Sequence, residues 1–521
     1  MGKRVLVVNA FFDEYRRTAG SPHRVPRAMG HVFLAGAFER STTEVRLYNE
    51  QYSGPLHDAA LLGSPDLLVL TGVTSSFDRM LHLAAYARTL NPRVIVAAGG
   101  PAIRALPRRA ARFFDYPCTG DIEALQEVAR DALGPAHVAE EMFPRFDLAD
   151  PHRLVAYVES SRNCNFRCGF CSLTGEGGRY RHYEIDYLKR QIEAVGKKQI
   201  VLIDNNFYGN DRRFFLDRVA LLRDFYRSGR IDGWSALVTG DFFARRENLD
   251  LVREAGCQSL FSGVESLDAE TLRAHNKRHS TVVPQLEMIR TCLEAGVLFS
   301  YGIMLDPSVR RLEKLRAEIG LLLDTPTITL PAYFTLSIPL LGTPYFYDCL
   351  AQHRLLPHVR LRDLDGVTLA LRSLDRLEEA VGFARDLPSL RGYRTRVLRH
   401  AVRFLRHYRR RLTPLQLFAA MVTSALISNE TFASSPLRLR LRRPRRTYLA
   451  STEELDPLYR PFMRLPARFE AYFRPTMVSD AHGALHDDVA DDVDPDARSE
   501  RRHFGIPSVA CGPSDNRRPT S

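Results

Sequence analysis

The chain has 521 residues, enough for two or three domains, and its 45% hydrophobic and 26% charged content is that of a soluble globular protein. Eight Cys are too few for a disulfide scaffold, and no stretch is long and apolar enough to span a bilayer. The net charge of +12 is concentrated: residues 391–446 hold fifteen Arg against one acid, Glu430, so the remainder is close to neutral.

The opening apolar run, Val5–Val8, is short, soon meets acid at Asp13 and lacks a small-residue cleavage site. It reads as a buried strand rather than a signal peptide. Further strands are expected at Val45–Tyr48, Leu67–Leu70, Val94–Ala98 and Phe114–Cys118, with helices near 28–39, 78–90 and 122–132. Strands alternating with helices over residues 1–140 imply a doubly wound, Rossmann-like parallel sheet, whose ligands lie outside the carboxyl ends of the strands. Those ends carry Thr71-Gly72-Val73-Thr74-Ser75-Ser76, Gly99-Gly100-Pro101 and Thr119-Gly120-Asp121. Small and hydroxylated residues there would let a large flat ligand come close to the backbone.

Residues 150–345 repeat a strand–helix unit about six times, with strands expected at Leu154–Ser160, Gln199–Asp204, Ser235–Thr239, Ser259–Val264, Leu298–Leu305 and Thr327–Ile338. Six units make a partial version of the eight-unit barrel, with active groups at the carboxyl ends of the strands. The most informative segment follows the first of these strands: Cys164, Cys168 and Cys171, spaced C-x3-C-x2-C, with Phe170 before the last. Three thiolates on one short loop can hold three irons of a 4Fe–4S cluster and leave the fourth open for chemistry. A structural zinc knuckle is the alternative, but zinc prefers a closed set of four ligands, and no fourth Cys or His lies within loop reach. Cys118, Cys257, Cys292, Cys349 and Cys511 lack cluster spacing.

The region 346–475 is expected to be mostly helical. Arg394–Leu412 places Val397, Ala401, Leu405, Tyr408 and Leu412 on one stripe and Arg on the others, and an apolar run, Leu415–Ile427, follows. Residues 478–521, with the acidic run at 487–492 and a Pro/Ser/Arg-rich end, read as a disordered tail.

The Cys motif resembles that of the radical S-adenosylmethionine (SAM) superfamily, and the likeness extends beyond it. In that family the open iron chelates the methionine moiety of SAM, and reductive cleavage gives a 5′-deoxyadenosyl radical. The resemblance implies that Phe170 packs beside the adenine. Gly263-Val264-Glu265-Ser266 resembles the family's Gly-Ile-Glu-Ser segment, followed at the usual distance by Asn276-Lys277, so Glu265 and Ser266 would meet the ribose. Asp204-Asn205-Asn206-Phe207 stands where relatives bind the methionine ammonium; this form of the segment is frequent in the cobalamin-binding subclass and would meet the aminocarboxylate or the cofactor. Pro339-Leu340-Leu341-Gly342-Thr343-Pro344 resembles a further segment of that subclass, with Leu341 in place of a Pro. Tyr345 and Tyr347 beyond it either face substrate or are buried.

Residues 1–140 resemble the cobalamin domain of the same subclass, so Thr71, Thr74, Ser75, Gly99, Gly100, Pro101 and Gly120 are the expected cobalamin contacts. The D-x-H-x-x-G motif that supplies an axial His is absent. The resemblance implies C-methylation of an unactivated carbon in a lipid or natural product, with electrons from a flavodoxin- or ferredoxin-type donor. A non-methylating radical enzyme (ring contraction, oxidation or cyclisation) stays open, as does, from another class, a basic membrane- or RNA-binding protein with a structural cluster. No nucleic-acid partner is expected, because the Arg-rich region lacks an RNA-binding signature. Cluster thiolates require a reducing compartment, so the expected location is cytoplasmic, with residues 394–446 offering peripheral contact at the inner membrane face.

Overall fold

The computed structural model describes residues 2–12, 28–149, 155–196, 198–385, 392–424 and 457–493. The chain is α/β. Its first sheet contains β1 (Lys3–Asn9), β2 (Thr43–Asn49), β3 (Leu67–Thr71), β4 (Ile95–Gly99) and β5 (Tyr116–Cys118), all parallel, in the order β2-β1-β3-β4-β5. Along β1, Leu6 and Val8 enter one core while Val5 and Val7 enter another. A strand apolar on both sides must be covered on both, and helices lie on both faces: Phe77–Leu90 on one, Ala124–Leu133 on the other. This strand order reverses direction between β1 and β3, the place at whose carboxyl edge sheets of this kind bind ligands. The short helices Pro101–Ala105 and Pro107–Ala111 each start on a Pro whose missing N–H costs nothing at a first turn.

The second sheet is built from β6 (Val155–Val158), then, after a two-stranded hairpin of β7 (Ser161–Arg162) and β8 (Arg181–His182), from β9 (Gln199–Leu202), β10 (Gly233–Leu237), β11 (Cys257–Glu265), β12 (Leu298–Leu305) and β13 (Tyr333–Leu336). Its order, β13-β12-β11-β10-β9-β6, follows the chain, and every pair is parallel. This is an open half-barrel. On β11, Leu260, Ser262 and Val264 are buried, while Phe261, Gly263 and Glu265 are half-buried on the opposite, inner side. The register of β11 on β12 shifts between Gly263 and Glu265, and Glu265 has φ +60°. That bulge turns the last residue of the strand inward.

The remaining described residues tie the two sheets together. The helix Tyr393–Tyr408 lies on the helix Leu312–Asp324: Arg396 pairs with Asp324 at 2.8 Å, and His400 sits 3.1 Å from both the Leu323 and Ile328 carbonyls. The buried stripe differs from the expected one. His400 and Phe404 take the places assigned to Ala401 and Leu405, and Leu405 is exposed. The His ring finds two backbone acceptors in the groove, which draws the helix round. The helix Pro414–Thr423 opens on a Thr413/Gln416 capping box, and Gln416 donates to the Gln258 carbonyl at 2.8 Å, beside the start of β11.

Residues 353–376 are largely irregular rather than helical, with single bridges at Leu355–Leu371 and Arg360–Met477. Residues 478–493, expected in a disordered tail, are packed. Val478, Val489 and Val493 are buried, and Asp488 pairs with Arg109 at 2.7 Å. Asp491 pairs with Arg112, and Asp492 accepts from the Arg108 and Arg109 amides. The acidic run is matched by three Arg some 380 positions earlier, a pairing that composition cannot reveal. Residues 425–446 of the basic stretch and 494–521 of the tail lie outside the described residues.

Candidate active site

The three Cys lie between β7 and β8, above the carboxyl end of β6. Asn163, with φ +61°, starts the loop, and its amide donates to the Arg179 carbonyl at 3.0 Å, closing the base. A Cβ on Gly178 would lie 2.8 Å from the Asn163 side chain, which would have to shift. Beneath, Asp204 is fully buried. Its carboxylate accepts from the Ser160 amide at 2.7 Å, the Ser161 hydroxyl at 2.9 Å and Arg218 at 3.0 Å, and also from the Ser160 hydroxyl. Arg218 is itself wholly buried, its guanidinium 4.3 Å from the ring centres of both Phe207 and Phe214. Asn206, also buried, donates to Asn165 inside the loop at 2.7 Å. Asp204 and Asn206 are therefore engaged in bracing the loop from below, and Asn205 is the exposed member of the triplet.

The loop is gripped from the side as well. The Gly169 amide donates to the His275 carbonyl at 2.8 Å, Asn276 donates to the Arg167 carbonyl at 2.8 Å, and the Tyr345 amide donates to the Gly169 carbonyl at 2.9 Å. Phe166 stacks on His279 at 4.0 Å. The short helix Ser172–Glu176, which starts directly after Cys171, packs on the turn at Gly342, where a Cβ on Gly175 would meet the Gly342 backbone at 3.1 Å.

Lys277 joins these parts. It is buried, its Nζ lies 3.0 Å from Glu265 Oε1 and 5.5 Å from the centre of the Phe170 ring. Burial pushes the Cys168 thiol up to about 11 and raises those of Cys164 and Cys171, while Lys277 pulls all three down. Burial likewise works against the Lys277 charge, but Glu265 and the nearby thiols outweigh it and hold its pKa above the ordinary value. Among the described residues no three His, Cys, Asp or Glu side chains are grouped tightly enough for a single metal ion.

Of the other expected contacts, Ser266 is buried, with its hydroxyl on Glu318 at 2.9 Å and Arg310 at 3.1 Å, holding the turn after β11. Tyr345 is buried and donates to Asp306. Tyr333 on β13 was missed by sequence reading. Its ring lies where a Gly302 side chain would be, 2.2 Å from that position, is stacked with Phe261 at 6.0 Å, and is 42% exposed on the inner side of the half-barrel. The signal was present: a Gly inside an apolar strand marks a close approach.

On the N-terminal rim, Thr71, Gly99, Gly100 and Pro101 are half-buried and Gly120 is exposed, whereas Thr74 and Ser75 are buried. Two glycines serve the rim's own packing: a Cβ on Gly100 (φ +110°) would lie 2.7 Å from the Gly72 carbonyl, and one on Gly72 would lie 2.9 Å from that of Ala10. The turn Thr74–Ser76 lies against residues 361–363 of the later chain.

A three-Cys loop above a half-barrel of this order has a counterpart among known proteins: residues 158–314 match the family model of the radical SAM superfamily. This segment is a radical SAM domain. Such domains use a 4Fe–4S cluster and SAM. They need an electron donor. The chain is 29% identical over 233 residues to a hopanoid C-2 methylase of Rhodopseudomonas palustris, covering 40% of this chain and 44% of that protein. It is 23% identical over 320 residues to a bacteriochlorophyllide d C-8(2)-methyltransferase of Chlorobaculum tepidum, covering 55% of this chain and 68% of the relative. The chain thus spans less than half the length of the hopanoid relative. A solved structure of the cobalamin-dependent SAM radical enzyme OxsB aligns with a TM-score of 0.47 and 17% identity, over 63% of this chain and 53% of that one. No helix among the described residues is long and apolar enough to cross a membrane.

Proposed function

We propose that this protein is a cobalamin-dependent radical SAM methyltransferase acting on an unactivated carbon of a lipid or natural product. The observation that carries the reading is the meeting of two carboxyl-end rims: that of a five-stranded sheet whose order reverses between β1 and β3, and that bearing the Cys loop. Both relatives described above are named for methylation, which supports it.

Cys164, Cys168 and Cys171 would hold the cluster, which when bound supplies the electron that cleaves SAM. Phe170 would pack beside the adenine, and Glu265, aimed inward by the β11 bulge and paired with Lys277, would accept from the ribose hydroxyls. Asn205 is the residue of its triplet free to meet the aminocarboxylate. Asp204, Asn206 and Ser266 serve by fixing the walls. The N-terminal rim fits a broad ligand resting on backbone: Thr71, Gly99, Gly100, Pro101 and Gly120 leave it partly open, with Thr74 and Ser75 beneath. Cobalamin bound there would supply a methyl carrier. Tyr333 and Phe261 suit an apolar substrate surface.

The electron donor is of flavodoxin or ferredoxin type. The location is cytoplasmic with peripheral contact at the inner membrane face. Leu398, Leu415 and Phe418 are 66%, 73% and 63% exposed on two helices that carry no acid, and Arg399, Arg403, Arg406 and Arg410 stand exposed among them. Binding to anionic vesicles should fall with salt and with the Arg403→Ala, Arg406→Ala and Arg410→Ala changes; equal recovery in the supernatant with and without vesicles would remove this part.

The visible spectrum of protein purified from cells supplied with hydroxocobalamin tests the central reading. Retained cobalamin bands at near one per chain are expected. A colourless N-terminal domain beside an intact cluster would turn the assignment to a non-methylating radical enzyme.

A further inference from the structure

Both ends of the Cys loop are pinned to the N-terminal rim by ion pairs that run in opposite senses. Arg162, two residues before Cys164, donates from Nη1 to Asp121 at 2.7 Å, and Asp121 lies just beyond β5. In return Arg104, from the N-terminal helix Pro101–Ala105, pairs with Glu176 at the end of the helix that follows Cys171. Each unit thus contributes one cation and one anion. Arg104 also donates to the Gly120 carbonyl at 3.0 Å, and Arg181 on β8 reaches Asp121 at 3.0 Å and Glu123 at 2.6 Å. On its inner side Arg162 is held by Glu159 at 3.0 Å and the Tyr183 hydroxyl at 2.7 Å. Burial alone would raise the Asp121 carboxyl; Arg162, the Ile122 amide, Arg181 and Arg104 together bring it below its ordinary value.

Surface ion pairs contribute little, because water screens them and long side chains lose freedom to form them. These differ, since Glu176 and Arg162 are largely withdrawn from solvent and each partner satisfies hydrogen bonds that would otherwise go unmade. Both anchor points bracket the Cys loop directly, so any slip between the two sheets would be transmitted to the thiolates.

We propose that Arg104, Asp121, Arg162 and Glu176 form a crossed brace fixing the Cys loop against the N-terminal rim, with Arg104 and Asp121 as positioning residues for chemistry that passes between the two rims. The second half of this statement rests on the cobalamin reading; the brace itself does not.

Hydrogen exchange on the reconstituted full-length protein tests the brace, comparing Arg104→Gln, Asp121→Asn and the conservative Arg104→Lys with the parent. Amides of 100–105, 119–124 and 162–182 should exchange at least tenfold faster together in the Gln and Asn variants and recover most of their protection in the Lys variant. Iron content, and 5′-deoxyadenosine formed from SAM and dithionite without substrate, should stay within about twofold. Unchanged exchange in both neutral variants would overturn the brace, as would loosening confined to one side of it. On cobalamin-loaded protein, relaxation enhancement of the cob(II)alamin signal by the reduced cluster should fall in Arg104→Gln and return in Arg104→Lys. Enhancement equal in all forms would overturn the positioning role. Joint loosening in protein that takes up no cobalamin would uphold the brace while the methyltransferase reading fails.

Discussion

At Lys277 the fold brings a buried ammonium between the Glu265 carboxylate, 3.0 Å away, and the loop that carries the three Cys. A positive charge there favours the more negative, reduced state of any cluster held by those thiolates. Lys277→Met should therefore shift the cluster's midpoint potential negative, on the order of a hundred millivolts, since one buried charge at protein dielectric is worth a few kcal/mol and a one-electron couple moves about 59 mV per 1.4 kcal/mol. Potentiometric EPR titration checks this, and an unmoved potential would remove Lys277 from the electrostatics of the site. Glu159, behind Arg162, gives a pH prediction. Burial drives its carboxyl up to about 7 from an ordinary 4.5, with Arg162 opposing and Asp204 adding to the rise. The folded state then holds a proton that the unfolded chain releases between those values. The stability contributed by Glu159 is full below pH 4.5 and is lost as pH rises through 7. In Glu159→Gln that component should vanish, so the gap in melting temperature between variant and parent should grow in the variant's favour from pH 5 to pH 7.5. A constant gap would contradict the burial account.

For whole elements, the strands were the legible part. Each strand of both sheets overlaps an expected one, because a parallel strand covered on both faces reads as a short apolar run, although the last, expected over 327–338, spans only Tyr333–Leu336. The one-rim placement of Cys, Asp204, Glu265 and Gly342 was legible for the same reason. What could not be read was which polar side chains turn inward. Asp204 looks like a ligand by position; its commitment to bracing depends on Arg218, fourteen residues later and buried on the next helix. Ser266 is claimed by Glu318 and Arg310 in the same way. The β11 bulge makes a sharper prediction. A Cβ on Gly263 would lie 2.3 Å from Glu265 Oε1 and 2.8 Å from Lys277 Nζ, so Gly263→Ala must push the carboxylate aside. SAM affinity by anaerobic calorimetry should drop about tenfold, the worth of roughly one charged hydrogen bond, while iron content stays unchanged. Undiminished affinity would mean that Glu265 does not meet the nucleoside.

Across the whole molecule, the described residues 457–493 return to the N-terminal sheet and cover the helix Phe77–Leu90. Phe473 stacks on His82 at 4.3 Å, and buried Asp78 accepts from the Tyr459 hydroxyl at 2.6 Å, the Thr476 hydroxyl at 2.6 Å and the Thr476 amide at 3.1 Å. Composition suggested disorder from residue 478 onward because the partners of that part, Arg108, Arg109 and Arg112, lie in a distant part of the chain. Asp78→Ala would strand three donors in a dry place, and at about 1 kcal/mol each should cost about 3 kcal/mol of stability. Limited proteolysis should then cut first within 457–493. Cleavage at the parent's rate would show that this segment holds by apolar packing alone.

The central claim is that the three-Cys loop carries a cluster with an open iron that cleaves SAM. Anaerobically reconstituted protein, given SAM and a low-potential reductant, should hold about four irons per chain and release 5′-deoxyadenosine. The Cys164→Ala, Cys168→Ala and Cys171→Ala proteins should each lose both properties. Parent protein with a full cluster but no 5′-deoxyadenosine, or variants that keep iron and cleavage, would contradict the account.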